Sequence, residues 1–148
     1  MSLGRRLVRA LTANVAETSA DAEDPRLRGR TYAIPFEDVW RTALSLADSG
    51  LRGWRVISAD DRQGVIVAEA KTLALRFVDD VRIRIVLDPN AQTRVDARSA
   101  SRVGRLDFGT NARRIARFCR RLDRQLGRLP PRPPLFADGS DSAAQSTA

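Results

Sequence analysis

Val81-Arg82-Ile83-Arg84-Ile85-Val86-Leu87 is followed by Asp88-Pro89-Asn90 and then by Thr93-Arg94-Val95-Asp96-Ala97-Arg98-Ser99-Ala100-Ser101-Arg102. In the first run Val81, Ile83, Ile85 and Leu87 fall on one side of an extended chain, and Arg82 and Arg84 on the other. In the second run Val95, Ala97, Ser99 and Ser101 share a face, opposite Arg94, Asp96, Arg98 and Arg102. A period of two on both sides of a short Asp-Pro-Asn turn predicts an antiparallel hairpin, apolar inside and polar outside.

Working outward toward the N-terminus, Trp54–Ala59 and Val65–Phe77 read as two more strands, the second long and bent. The cluster Asp60-Asp61-Arg62-Gln63-Gly64 is their hairpin turn. Thr31–Ile34 reads as a short strand. Pro35 suits the first turn of a helix carrying Phe36, Val39, Trp40, Ala43, Leu44 and Leu46 at helical spacing. Asp48-Ser49-Gly50 ends that helix, with Gly50 at a C-terminal cap position. Further back, Leu3, Leu7, Leu11 and Val15 stand four apart and predict a short amphipathic helix. Residues 16–30 are polar and read as a linker, with a turn at Asp24-Pro25.

Toward the C-terminus, residues from Asp107, read as the N-cap, run at helical period to Gly127. Phe108, Ile115, Phe118, Cys119, Leu122 and Leu126 form one stripe. Arg113, Arg114, Arg117, Arg120, Arg121, Arg124 and Arg128 form the opposite face. The run Leu129-Pro130-Pro131-Arg132-Pro133-Pro134 stops the helix, and the small polar residues beyond it predict a disordered tail. The expected fold is α+β: strand, helix, four strands of an antiparallel meander, then a long C-terminal helix. Both helices must cover the apolar face of the sheet. By analogy this is a reduced helix-grip layout. The expected organisation is an N-terminal helix and linker over 1–30, one domain over 31–129, and a Pro-rich then disordered tail over 130–148.

Composition bounds the chemistry. The chain of 148 residues contains no histidine, and Cys119 is its only cysteine. Intramolecular disulfides, the usual zinc, copper or haem ligand sets and a His-based triad are therefore outside its inventory. The expectation is no metal, no cofactor and no assembled catalytic residue. Only Lys71, Tyr32 and the carboxylates remain as bases or nucleophiles. No apolar run approaches the length of a membrane span, and Arg9, Thr12 and Asn14 interrupt the N-terminal apolar stretches. The default expectation is a cytoplasmic protein, at most resting on a membrane surface. The net charge of +8 is not evenly spread. Residues 1–30 contribute +2 and residues 31–104 contribute +1. Residues 105–136, with nine arginines against Asp107 and Asp123, contribute +7, and the tail contributes −2. The basicity belongs to the C-terminal helix.

The run Arg94-Val95-Asp96-Ala97-Arg98-Ser99-Ala100-Ser101-Arg102-Val103-Gly104 continues as Arg105-Leu106-Asp107-Phe108-Gly109-Thr110-Asn111-Ala112-Arg113-Arg114-Ile115. Phe77-Val78-Asp79-Asp80-Val81 and Trp54-Arg55-Val56 precede it. Together they resemble the bacterial and plastid family called domain of unknown function 1499, over roughly Tyr32 to Leu122. The resemblance implies no activity or cofactor. Family members often carry hydrophobic or export segments at the N-terminus, and this sequence departs from them there.

Two candidate sites follow. Ser99 and Ser101 lie on the apolar side of the last strand, and Asn111 falls within the apolar stripe of the final helix. With Thr72 and the small residues Ala68, Ala70 and Ala97, they are placed to line a small-ligand pocket, enzymatic or not, between sheet and helix. The bland reading is close helix packing, with Asn111 satisfying backbone groups at the strand end. The second candidate is the arginine face, an anion-binding surface for a membrane, an acidic protein or nucleic acid. Its bland reading is a solvated charge run. Asp79-Asp80 does not read as a catalytic pair, because neighbours in a strand point to opposite faces. Its outward member is expected to pair with an arginine. Cys119 reads as a small buried hydrophobe.

Overall fold

A computed structural model describes residues 15–72, 76–102 and 109–130. The strands are β1 (Val15–Glu17), β2 (Arg30–Tyr32), β3 (Trp54–Asp60), β4 (Val65–Lys71), β5 (Val78–Leu87) and β6 (Thr93–Ser101). The helices are α1 (Phe36–Ser45) and α2 (Thr110–Leu126). The fold is α+β. Strands β3 to β6 form the expected antiparallel meander, in the order β6-β5-β4-β3.

Turn chemistry fixes the register of this meander. Asp60 Oδ1 accepts from the Arg62 and Gln63 amides at 3.0 Å each, closing the β3–β4 turn. Gly64 follows with φ of 66°, and a Cβ there would meet the Ile85 carbonyl oxygen. Asp88 Oδ1 accepts from the Asn90 and Gln92 amides at 2.9 Å each, closing the β5–β6 turn. These are Asx-type turns, in which a short carboxylate replaces a backbone acceptor.

The alternation predicted for β5 and β6 sets the core. Val81, Ile83, Ile85, Val95, Ala97 and Ser99 are all buried, as are Ile66, Ala68 and Ala70 of β4. Val39 and Ala43 of α1, with Leu46 and Ala47 just beyond it, pack onto this face. Ile115, Phe118, Cys119, Leu122 and Leu126 of α2 join them. Phe118 stacks on Trp54 with ring centroids 5.8 Å apart.

Several expectations need correction. Val15 opens a strand and does not end a helix; residues 3–14 of the expected helix lie outside the described residues. The segment expected as a linker contributes β1, and β2 overlaps the expected strand Thr31–Ile34 at Thr31 and Tyr32; the two pair end to end along β6. Val15–Glu17 meets Arg98–Ala100, and Arg30–Tyr32 meets Thr93–Val95. Polar composition hid β1 because an edge strand needs only half of its side chains apolar, and β1 buries only Ala16. The strand read as Val65–Phe77 stops at Lys71. Arg76 takes φ of 54°, which ends extended backbone, and β5 begins at Val78. Leu87 has inward parity but is 59% exposed, lying at the end of β5. Ser49, at φ of 78°, takes the left-handed position expected for Gly50. Helix α2 starts at Thr110, preceded by Gly109 at φ of 75°. Asp107 and Phe108 lie outside the described residues, as does the tail from 131.

Candidate functional site

The inner face of the sheet grades from large to small side chains. Ile66, Ile83, Ile85 and Val95 fill one end; Ala68, Ala70 and Ser99 leave room at the other. The register places Ala70, Asp79 and Ser101 side by side across β4, β5 and β6, with Ala68, Val81 and Ser99 as the next row. Volume not filled by the sheet is filled from α2 by the long side chain of Arg114.

Arg114 Nη2 lies 2.7 Å from Asp79 Oδ2. Its Nη1 donates to Asn111 Oδ1 at 2.7 Å and to Ser99 Oγ at 3.1 Å. Its Nη2 also donates to Thr72 Oγ1 at 3.3 Å. Ser99 Oγ donates to Asn111 Oδ1 at 2.6 Å, and Asn111 Nδ2 donates to Ser101 Oγ at 2.8 Å. Thr72, Ser99, Ser101 and Asn111, singled out from sequence, are thus brought together. The group that joins them is Arg114. Asn111 was expected to bond backbone at the strand end; its bonds with Ser99 and Ser101 join side chains. Among the described residues, every buried side-chain nitrogen or oxygen has a partner.

Arg114 is also the correction to the arginine face. It was grouped with the six others, but it turns inward while Arg113, Arg117, Arg120, Arg121, Arg124 and Arg128 are exposed. It lies three residues from Asn111, on the flank between stripe and ridge, so its long stem carries the guanidinium under the helix. Asp79, the inward member of the acidic pair, was missed as its partner. The signal was legible: an aspartate at inward parity in an otherwise apolar strand face demands a cation. Asp80 behaves as expected, pointing outward and accepting from Arg102 at 2.7 Å. Glu69 accepts from the same Arg102 at 2.6 Å and from Arg55 at 2.8 Å. Those two bonds, Arg55 first, hold its carboxyl below the usual range.

The ridge itself is nearly all one sign. Asp123 is the only acid within α2. It is engaged elsewhere, accepting from the Tyr32 hydroxyl at 2.6 Å and from Arg30 Nε at 3.1 Å. Burial, aided by this bond, pushes the Tyr32 hydroxyl well above its ordinary value. Among the described residues, Arg117, Arg120, Arg121, Arg124 and Arg128 have no ion pair. Cys119 is buried beneath them, and burial pushes its thiol up to about 11. Among the described residues no three His, Cys, Asp or Glu side chains gather as metal ligands. Among them, too, no helix is long and apolar enough to cross a membrane.

A family model described as "Protein of unknown function (DUF1499)" matches residues 9–122, and the chain belongs to that family. The match reaches further toward the N-terminus than the resemblance from Tyr32 and takes in β1. No curated protein and no solved structure matches the chain.

Proposed function

We propose that this member of the family is a non-catalytic binding module that presents the exposed face of α2 to an extended anionic partner. The observation that carries this is a contrast within one helix. Arg114 is turned inward and neutralised by Asp79, while Arg117, Arg120, Arg121, Arg124 and Arg128 are left outside without a counter-charge among the described residues. From Arg117 to Arg128 the ridge runs roughly 16 Å along the helix. That length suits a surface or a chain of anionic groups. Its planar forks suit phosphate or carboxylate.

The aromatic side chains argue against base stacking. Phe118 is the one aromatic residue of α2, and it is buried on Trp54. A single-stranded nucleic acid reader would carry aromatic platforms beside its cations. An anionic membrane surface or an acidic protein face asks only for charge. The alternative of a small-ligand pocket at Thr72, Ser99, Ser101 and Asn111 is less well supported. Those groups spend their hydrogen bonds on one another and on Arg114.

The test is binding of the full chain to anionic vesicles, to polyglutamate and to heparin at fixed ionic strength. The Arg117→Gln/Arg120→Gln/Arg124→Gln variant serves as comparison. Wild-type binding with a salt-dependent loss of at least tenfold in the variant supports the ridge. Equal binding by both proteins removes it.

A further inference from the structure

We infer that the outer face of the sheet holds a second, separate site, for a compact diphosphate-type anion, built from Arg82, Arg84 and Arg98. It lies on the face of the sheet away from α2, and it does not rest on the reading of the ridge.

The inward burial of Val81, Ile83 and Ile85 forces Arg82 and Arg84 outward from β5. Arg98 of β6 stands directly across from Arg82 in the register. Directly opposed side chains start about 5 Å apart at Cβ. Arg84 is two residues along the same strand, about 7 Å further on. Three arginines therefore line one groove on the outer side of the sheet, together with Val65 and Ala97.

Their lack of partners is specific to them. On the same face Arg94 pairs with Asp96 at 2.8 Å, Arg55 with Glu69 at 2.8 Å, and Arg102 with both Glu69 and Asp80. Arg82, Arg84 and Arg98 have no ion pair among the described residues. The residue across from Arg84 is Asp96, but its carboxylate is already taken. It accepts from Arg94 Nε and Nη2, at 2.8 and 3.3 Å, and from Thr18 Oγ1 at 3.1 Å. The groove lining carries Arg82, Arg84, Arg94 and Arg98 against Glu17 and Asp96, four positive and two negative charges, a net +2. Like charges directly opposed across a sheet oppose folding. An anion between them reverses that interaction.

The geometry selects size as well as sign. The free cations form one opposed pair plus one neighbour, so they can surround adjacent phosphoryl groups: Arg82 and Arg98 on the first, Arg84 on the second. Arginine forks make paired hydrogen bonds to phosphoryl oxygens. The acids Glu17 and Asp96 in the same lining would repel a long polyanion laid across the sheet. The diphosphate can be free in solution or part of a phosphorylated headgroup, and two probes separate these sources.

The experiment is calorimetric titration of the full chain with pyrophosphate at matched ionic strength, and cosedimentation with phosphatidylcholine vesicles containing diacylglycerol pyrophosphate. The proteins compared are wild type, Arg82→Gln/Arg98→Gln, Arg82→Lys/Arg98→Lys, and the ridge variant Arg117→Gln/Arg120→Gln/Arg124→Gln. Because the sheet arginines are exposed, their Gln variant should fold, checked by circular dichroism. Saturable pyrophosphate binding that falls at least tenfold in the sheet Gln variant, falls less in the Lys variant and changes under twofold in the ridge variant supports a soluble diphosphate. Vesicle binding lost in the sheet Gln variant and competed by pyrophosphate supports the headgroup. Affinities for both probes that are unchanged in the sheet Gln variant, absent in wild type, or lost only in the ridge variant overturn the proposal.

Discussion

Arg114 Nη2 lies 2.7 Å from Asp79 Oδ2, and only 9% and 6% of the two side chains are exposed. The pair ties the first turns of α2 to the entry of β5. A cation near a helix N-terminus is opposed by the helix dipole, and the Asp79 carboxylate offsets that locally. Taking both charges out of water costs several kcal/mol each, which Coulomb attraction and the bonds to Asn111, Ser99 and Thr72 must offset.

Removing one partner leaves the other buried and uncompensated. Asp79→Asn and Arg114→Gln should each destabilise by about 3–5 kcal/mol. The double variant should cost clearly less than the sum, because neither charge then remains stranded. Urea denaturation of the four proteins gives the coupling. Single variants within 0.5 kcal/mol of wild type, as expected of a surface pair, would show that the bridge does not hold the fold.

Asn111 links two strand positions, accepting from the Ser99 hydroxyl and donating to the Ser101 hydroxyl. Asn111→Leu should cost roughly 1–3 kcal/mol, because the hydroxyls and the Arg114 guanidinium lose a buried partner. The check is the midpoint of a denaturant melt. A neutral or stabilising result would mean that these groups find solvent, and would revive the pocket reading.

The meander was legible because β5 and β6 alternate and its turns carry Asp, Asn, Pro and Gly. The apolar stripe of α2 was legible for the same kind of reason. What failed to show was held by other means. Strand β1 is three residues long and is recruited by the free edge of β6, which no local pattern reveals. Arg114 looks like its neighbours in sequence, and only the register that puts Asp79 beneath it separates it from the ridge. The sheet arginines were read as an ordinary polar face. That three of them lack partners depends on Asp96 bonding along its own strand to Arg94, two residues away. Thr72, Ser99 and Ser101 lie at inward parity and Asn111 in the apolar stripe of α2, which is why the sequence places these polar side chains near one another under the helix.

Cys119 gives the alkaline limit a sign. Burial raises its thiol from an ordinary value of 9.0 to about 11. Its contribution is fully present below about pH 8.5, where both states hold the proton. It is lost as pH rises toward 11, because the unfolded chain releases the proton first. Tyr32, also raised by burial, has the same sign at still higher pH. Stability should therefore fall from about pH 8.5 upward, by on the order of 2 kcal/mol for the thiol. In Cys119→Ala the slope between pH 8.5 and 11 should flatten. An unchanged slope would mean that the thiol ionises in the fold as readily as in the unfolded chain.

The ridge should oppose the helix that carries it when no anion is present. Arg113, Arg117 and Arg121 stand four apart, and so do Arg120, Arg124 and Arg128. Each such like-charge step costs about 0.2–0.5 kcal/mol when exposed. Changing Arg117, Arg120 and Arg124 to Gln removes four of these steps, Arg113–Arg117, Arg117–Arg121, Arg120–Arg124 and Arg124–Arg128. Gln is nearly as good a helix former as Arg, so propensity changes little. The favourable placement of Arg124 near the helix C-terminus offsets part of the gain. The net expectation is a variant more stable than wild type by about 1 kcal/mol at low salt, a rise of about 2–4 °C in Tm for a chain of this size. The difference should shrink as chloride screens the ridge. Adding an extended anion should then reverse the order, stabilising wild type by mass action and leaving the variant unmoved. A variant less stable than wild type at low salt would mean that the ridge arginines already have partners within the protein. The binding reading would then lose the open charge on which it depends.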